Sequence, residues 1–400
     1  MQTVILASGL WYNEGVLPDP WIAVENGRIV EVGTRATREI PSAARILDYT
    51  GSLLAPSFLD IHIHGCAGYD VMDASETSLN AISQFLARHG TGCFLATTVT
   101  APLDRTLHAL SDLAKIIRKT GEWPGAIPCG VHLEGPFLSH AKRGVHPAEA
   151  LLEPSTEVFD RLFDASEGLV RLMTLAPELP GAEELAHHAV QRGVRVSLGH
   201  SNATAQESER LLQAGATSAT HTFNAMRALD HREPGIAGVV LSEPSLFAEL
   251  ICDGIHVDPR MIGLWWRLKG PKRGILVTDA MAATGMPDGE YLLGGIPVQL
   301  AEGRATAQGV LAGSVLTLDR ALVNLMKFTG ASVREALPLL TGNPASMIGF
   351  EDQCADLSPG RRADMVALAT DGQLVASLVA GLPTEALSGR QVVAPATTRH

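Results

Sequence analysis

Apolar and polar positions change period along this chain. Between about residues 57 and 281, short β-branched or apolar runs alternate with longer amphipathic stretches, as expected of repeated βα units around a parallel sheet. The runs are SFLDIHIHG (57–65), CFLATTVT (93–100), IPCGVHLEG (127–135), VRLMTLAP (170–177), VRVSLGHS (194–201), TSATHTFNA (217–225), FAELICDGIH (247–256) and ILVTDAM (275–281). Helix-like segments lie between them. SETSLNAISQFLARHG predicts a C-terminal stop at Gly90, and TAQESERLLQAG predicts an N-cap at Thr204 and an end at Gly215. Eight strands with intervening helices over roughly 250 residues predict an α/β protein built as a (β/α)8 TIM barrel.

The flanks have another style. Residues 1–55 carry TVILASGLWY and WIAVENGRIVEVG, strand-like pieces with turns between them, and residues 362–393 repeat the style in RADMVALATDGQLVASLVAGLPT. Neither flank can bury both faces of a sheet alone. Residues 1–55 and 355–400 are therefore expected to pair into a small β-sandwich domain beside a barrel domain spanning 56–354.

A chain of 400 residues that is 46% hydrophobic can bury a large core, which excludes a disordered chain. The net charge of −12 argues against nucleic acid, so an anionic ligand would have to be met by a few local cations. The start, MQTVILASGLWYNEG, lacks the basic and apolar regions of an export signal, and no 18-residue apolar run follows, so a cytoplasmic protein without a membrane span is expected. Five cysteines without a C-x-x-C pair (Cys66, Cys93, Cys129, Cys252, Cys354) predict small core residues, neither a disulfide framework nor a thiolate zinc cluster.

Catalytic groups of a barrel come from the C-terminal ends of its strands. There the sequence places His62 and His64, on one side of the first strand by its period of two, then Glu134, His200, His221, His256 and Asp279. Five of the 14 histidines thus fall at strand ends. Imidazole and carboxylate suit a divalent ion such as Zn²⁺. Glu134, His200 and His221 supply the three ligands of a catalytic site that keeps a position for water. Asp279, beside them, is placed to take a proton from that water and pass it to a leaving group.

Taken in order, PSFLDIHIHGCAGYDVMDA, HLEGPFLSHAKRGVHP, SLGHSNAT, THTFNAM, ICDGIHVDP and VTDAMAATGMPDG resemble the N-acetylglucosamine-6-phosphate deacetylases of the amidohydrolase superfamily. The resemblance implies hydrolysis of the acetamide of a phosphorylated amino sugar to acetate and the free amine, in amino-sugar catabolism or recycling. It implies that Glu134, His200 and His221 hold the main metal, that Asp279 is the acid and base, and that His146, next to Val145, contacts the substrate near the scissile carbonyl. It further places Asn224, Ala225, Arg232, His256 and the Leu311-Ala312-Gly313 turn around the sugar phosphate.

Because the family varies at the strand-one motif and this chain keeps both His62 and His64, one or two ions per subunit are implied, bridged by Glu134 if two. Zinc is the first choice, with iron, manganese or cobalt as alternatives. Strand four, VRLMTLAP, has no lysine, which counts against a carboxylated-lysine site. The resemblance also implies a homodimer in which Arg232 reaches the neighbouring active site. Competing readings are a deacetylase of N-acetylgalactosamine 6-phosphate or another N-acyl compound, and a non-catalytic sugar phosphate sensor on a barrel scaffold.

Overall fold

A computed structural model describes residues 2–12, 15–36, 44–119, 123, 125–351 and 354–384. Its central element is a parallel sheet of eight strands in sequential order: β1 (Phe58–Ile63), β2 (Thr91–Thr98), β3 (Ile127–Glu134), β4 (Val170–Leu175), β5 (Arg195–Leu198), β6 (Ser218–Ala219), β7 (Phe247–Ile251) and β8 (Gly274–Val277). Each is followed by a helix: α1 (Glu76–Arg88), α2 (Leu103–Arg118), α3 (Thr156–Ala165), α4 (Ala182–Gln191), α5 (Ala205–Gln213), α6 (Gly235–Ser242), α7 (Pro259–Arg273) and α8 (Leu318–Thr329).

The sheet closes between β8 and β1. Thr278 Oγ1 donates to Asp60 Oδ2 (2.6 Å), Asp279 N to the His62 carbonyl (2.9 Å) and His64 N to the Ala280 carbonyl (2.9 Å). The predicted (β/α)8 barrel is thus present, and closure leaves it without edge strands. Its strands are buried on both faces, which is why they read as apolar runs. The helices supply Leu79, Ile82 and Leu86 of α1, Leu110 and Leu113 of α2, and Trp265 of α7 to one continuous core.

Local sequence sets the helix ends. Ser75 accepts from Ser78 N at the start of α1, and Thr204 and Glu207 form a reciprocal capping box on α5. Gly90 and Gly215 follow their helices with φ of +82° and +108°, conformations that favour glycine.

Several strands stop earlier than their apolar runs. The runs at 194–201, 217–225 and 247–256 give only Arg195–Leu198, Ser218–Ala219 and Phe247–Ile251. At two of these ends the backbone leaves the extended region: His200 has φ 46°, His221 28°, Phe223 78° and Ala225 49°. Burial beneath the barrel mouth continues past the last ladder hydrogen bond, so apolar character overestimates strand length.

The terminal segments enter one β unit, as their shared style implied. Thr3–Tyr12 pairs in parallel with Arg45–Pro56, and Met365–Leu368 pairs antiparallel with the latter, inside an eight-stranded sheet. Ile5, Leu10, Ile22, Leu54, Met365 and Leu378 form its own buried cluster. The expected strand region beyond residue 384 lies outside the described residues. An antiparallel sheet of four strands between Gly289 and Leu311, not foreseen from the sequence, is inserted between β8 and α8. It packs on Val99, Val145, Met281 and Ala283. Among the described residues no helix is long and apolar enough to cross a membrane.

Candidate functional site

At the C-terminal ends of the barrel strands, two groups of metal-ligating side chains face each other: Glu134, His200 and His221, and His62, His64 and Asp279. Glu134 touches both. Its Oε1 lies 3.1 Å from His200 Nε2 and from His221 Nε2 and 3.3 Å from His62 Nε2, and its Oε2 lies 3.0 Å from His64 Nε2. Asp279 Oδ1 is 3.2 Å from His64 Nε2 and 3.6 Å from His62 Nε2. His146 joins from the loop after β3, with Nε2 3.6 Å from Glu134 Oε2. All seven side chains are buried or nearly so.

The turns that end the strands create this convergence. His200, His221 and Asp279 all have positive φ (46°, 28° and 49°), unusual for non-glycine residues and recurrent where function holds the backbone in strain. Each thereby departs from the alternation of its strand.

The outer ring nitrogens show what the inner ones can do. His200 Nδ1 donates to the Lys142 carbonyl (3.0 Å), His64 Nδ1 faces the Thr97 carbonyl (3.3 Å), and His62 Nδ1 faces Glu249 Oε2 (3.1 Å). A neutral imidazole with its proton on Nδ1 presents a bare Nε2, the form that binds a metal. His146 is reversed. Its Nδ1 accepts from Thr100 N (3.3 Å) and lies 2.8 Å from Thr100 Oγ1, which leaves the proton on Nε2, facing the site. Several bare nitrogens and a carboxylate aimed at one small volume fit a divalent ion.

The charges agree with that fit. Burial opposes ionisation of Glu134, yet His62, and after it the imidazoles of His146 and His221, hold its carboxyl well below the usual range. Burial likewise opposes charge on Asp279, but His62 and His64 keep its pKa low. Against its own burial, His64 is pushed up to about 9 by Asp279 and Glu134, and His62 is raised by the same carboxylates. Burial lowers His200 to about 4. A cation entering this pocket therefore competes with protons on His62 and His64.

Further out, the residues named from sequence separate. Asn224 Nδ2 donates to the His221 carbonyl (3.2 Å), and Ala225 O accepts from Ser201 N (3.0 Å), so both belong to the turn that presents His221. His256 Nδ1 donates to Asp253 Oδ2 (2.6 Å); burial works against its charge, but Asp253 and then Asp279 raise its pKa. Val145 packs against the inserted sheet with Ala312, which is fully buried, while Leu311 ends that sheet and Gly313 takes φ +63°. Arg232 is exposed and forms no ion pair among the described residues, and the Glu233 carboxylate accepts from Ala205 N and Gly235 N. Among the described residues no hydrogen bond joins it to His256, whose Nδ1 is taken by Asp253.

Sequence reasoning missed Glu249, Thr100 and His132, which back the histidines of the site. His132 Nε2 bonds Thr174 Oγ1 (2.9 Å), and its ring meets that of His62 edge-on at 4.7 Å. All three lie on or beside the barrel runs, and two-residue spacing from Glu134 marked His132 as sharing its face. Glu249 and Thr100 gave no such signal, because their partners are remote in sequence. Cys93, Cys129 and Cys354 are drawn together away from these histidines, with Cys129 Sγ donating to the Phe94 carbonyl (3.3 Å). Cys66 is buried against the Ile82 carbonyl.

Residues 53–391 match the pattern of the Amidohydrolase family. The chain belongs to that family. Amidohydrolases are metal-dependent, in keeping with the two ligand groups. This amidohydrolase is 39% identical over 369 residues to the N-acetylgalactosamine-6-phosphate deacetylase of Escherichia coli O157:H7, covering 92% of this chain and 95% of that one. It is 39% identical over 329 residues, 82% of each chain, to the N-acetylglucosamine-6-phosphate deacetylase of Vibrio furnissii. Among solved structures it is similar to a mutant N-acetyl-D-glucosamine-6-phosphate deacetylase from Mycobacterium smegmatis in complex with N-acetyl-D-glucosamine-6-phosphate. That match has a TM-score of 0.88 and 32% identity and covers 96% of this chain and 99% of the other.

Proposed function

We propose that this amidohydrolase hydrolyses the acetamide of N-acetyl-D-glucosamine 6-phosphate, releasing D-glucosamine 6-phosphate and acetate in amino-sugar catabolism or recycling. The observation that carries this reading is the meeting of Glu134, His200, His221, His62 and His64 with Asp279 at the barrel mouth. The deacetylases to which the chain is similar support the choice of substrate.

Glu134, His200 and His221 would hold one ion, zinc in the first place with iron, manganese or cobalt as alternatives. His62 and His64 would hold a second, with Glu134 between the two. A divalent ion there supplies a more acidic attacking water and polarisation of the acetamide carbonyl. The protein's own groups do the rest. Asp279 Oδ1, ionised at neutral pH, accepts the proton of the attacking water. His146 Nε2–H donates to the carbonyl oxygen as negative charge develops on it, and Thr100 N keeps that proton in place. Asp279 then returns the proton to the amine nitrogen, since an amide anion is too basic to leave.

His256, paired with Asp253, and Arg232 of a neighbouring copy would meet the phosphate, with Asn224, Ala225, Val145 and Leu311 to Gly313 around the sugar. The unpaired, outward Arg232 supports a homodimer whose sites are completed across the interface. We assign the enzyme to the cytoplasm, divided into a β unit (1–55 with 355–400) and the barrel (56–354).

Similarity to the Escherichia coli protein favours a second reading, N-acetylgalactosamine 6-phosphate as substrate, because the two sugars differ only in the orientation of one hydroxyl. The test is acetate release from both 6-phosphates and from unphosphorylated N-acetylglucosamine, with metal analysis of the same preparation. The highest kcat/KM is expected for the glucosamine derivative. Preference for the galactosamine derivative would move the assignment to the second reading, and metal-replete protein releasing no acetate from any of the three would overturn both.

A further inference from the structure

Glu249 lies on β7 with its side chain wholly buried inside the barrel. Its Oε2 receives two groups, His62 Nδ1 at 3.1 Å and the backbone N–H of His221 at 3.2 Å, one from each ligand group. Its Oε1 has no hydrogen-bond partner among the described residues. The other carboxylate at this depth differs. Asp60 accepts from Thr278 Oγ1, Thr278 N and His62 N, contacts that stitch β8 to β1 and account for it as a barrel-closing group. Glu249 closes nothing. A buried carboxylate costs free energy unless its partners compensate, and the partners of this one are metal-ligand residues only.

The ligand histidines show what it does. His64 and His200 direct Nδ1 to main-chain carbonyls, which the fold supplies in any case. At His62 a side chain takes that place, and a carboxylate acceptor both fixes the ring and makes its Nε2 a stronger donor to a metal. The His221 N–H on the same oxygen marks that oxygen as an acceptor, so the ring proton belongs on His62 Nδ1.

We propose that Glu249 is the positioning residue of the second metal position, holding His62 with Nδ1 protonated and Nε2 bare toward the ion. The proposal rests on the two-ion reading of this site and not on the identity of the substrate. Its test is metal titration of the whole protein with zinc at buffered free concentrations, in wild type, Glu249→Gln and His62→Ala.

The wild type is expected to bind two equivalents. Glu249→Gln should keep the tighter one and need about 10- to 100-fold more free zinc to fill the second. His62→Ala should not regain the second at all. Thermal midpoints of the metal-free proteins separate this selective loss from general damage, because a purely structural role would weaken both equivalents together. A wild-type titration in Glu249→Gln, parallel loss of both ions, or a wild type that binds only one would each overturn the proposal. A one-ion wild type that still releases acetate would leave the deacetylase reading standing. If Glu249→Gln does not fold, ¹⁵N spectra of histidine-labelled, zinc-saturated wild type decide: a proton on His62 Nδ1 supports the proposal and a bare Nδ1 overturns it.

Discussion

The barrel mouth and the terminal β sheet both bury their side chains, but groups of opposite character. In the sheet the buried positions are Ile5, Leu10, Ile22, Leu54 and Met365, apolar groups whose removal from water is itself the stabilising event. At the mouth the buried positions are histidines and carboxylates held 3.0–3.6 Å apart, several on left-handed backbone. Burying such groups opposes folding unless each finds a partner. The pocket therefore stores an arrangement that the rest of the barrel stabilises, which is how a preorganised site is maintained. Substitutions in the sheet should change stability without changing chemistry, and those at the mouth should do the reverse.

The largest effect is expected from Glu134, whose carboxylate oxygens meet histidines of both ligand groups. Glu134→Gln, or His200→Ala, should strip bound metal and reduce acetate release to background while the fold survives, checked by elemental analysis and circular dichroism. Full metal occupancy in either variant would mean that other residues are the ligands. Asp279→Asn is next: metal content should be retained while kcat falls about 10²- to 10⁴-fold, the usual size of a lost acid–base contribution. Unchanged kcat would remove Asp279 from the proton transfers.

Leu54→Ala sharpens the contrast from the other side. It should cost about 2–5 kcal/mol of stability in denaturant unfolding, with kcat and metal content per folded molecule unaltered. Loss of metal in that variant would show that the sheet and the mouth are coupled.

Smaller effects belong to the phosphate. Arg232→Ala should raise KM about 10- to 100-fold for the 6-phosphate, in line with loss of one charge-assisted hydrogen bond, and hardly at all for the unphosphorylated sugar. Mixed with Asp279→Asn subunits it should recover activity on the proposed dimer, in which Arg232 of one subunit completes the site holding Asp279 of the other. Verified subunit exchange without recovery would confine the arginine to its own chain.

The smallest is a pH effect at His256, whose pKa is raised above that of a free histidine, chiefly by Asp253 against the effect of burial. Its cationic form persists to higher pH than that of a free histidine and is lost as pH rises through the raised value. KM for the phosphorylated substrate should accordingly increase on the alkaline side, and a flat KM there would show that His256 does not meet the phosphate.

Much of this was legible in the sequence. The alternation of apolar runs with amphipathic stretches gives the barrel, because closed parallel strands are buried on both faces and the helices between them on one. The ends of those runs carry the histidines and carboxylates because that is where a barrel opens. Helix ends at Thr204, Gly90 and Gly215 follow from local capping chemistry that needs no partner far along the chain. The inserted sheet between Gly289 and Leu311 was not legible, since its short strands sit in a stretch rich in glycine that reads equally well as loop.

What the sequence determined by itself is therefore local or periodic: strand and helix order, the barrel, and the residue types at its mouth. Which nitrogen of each histidine faces inward was decided only by the tertiary structure. It depends on Glu249 and on the Thr97 and Lys142 carbonyls behind His62, His64 and His200, and on Thr100 behind His146. Those partners lie 33 to 187 residues away from the rings they orient. A hydrogen bond between groups so far apart leaves no periodic trace, and it exists only once the barrel has closed and brought the strand ends together.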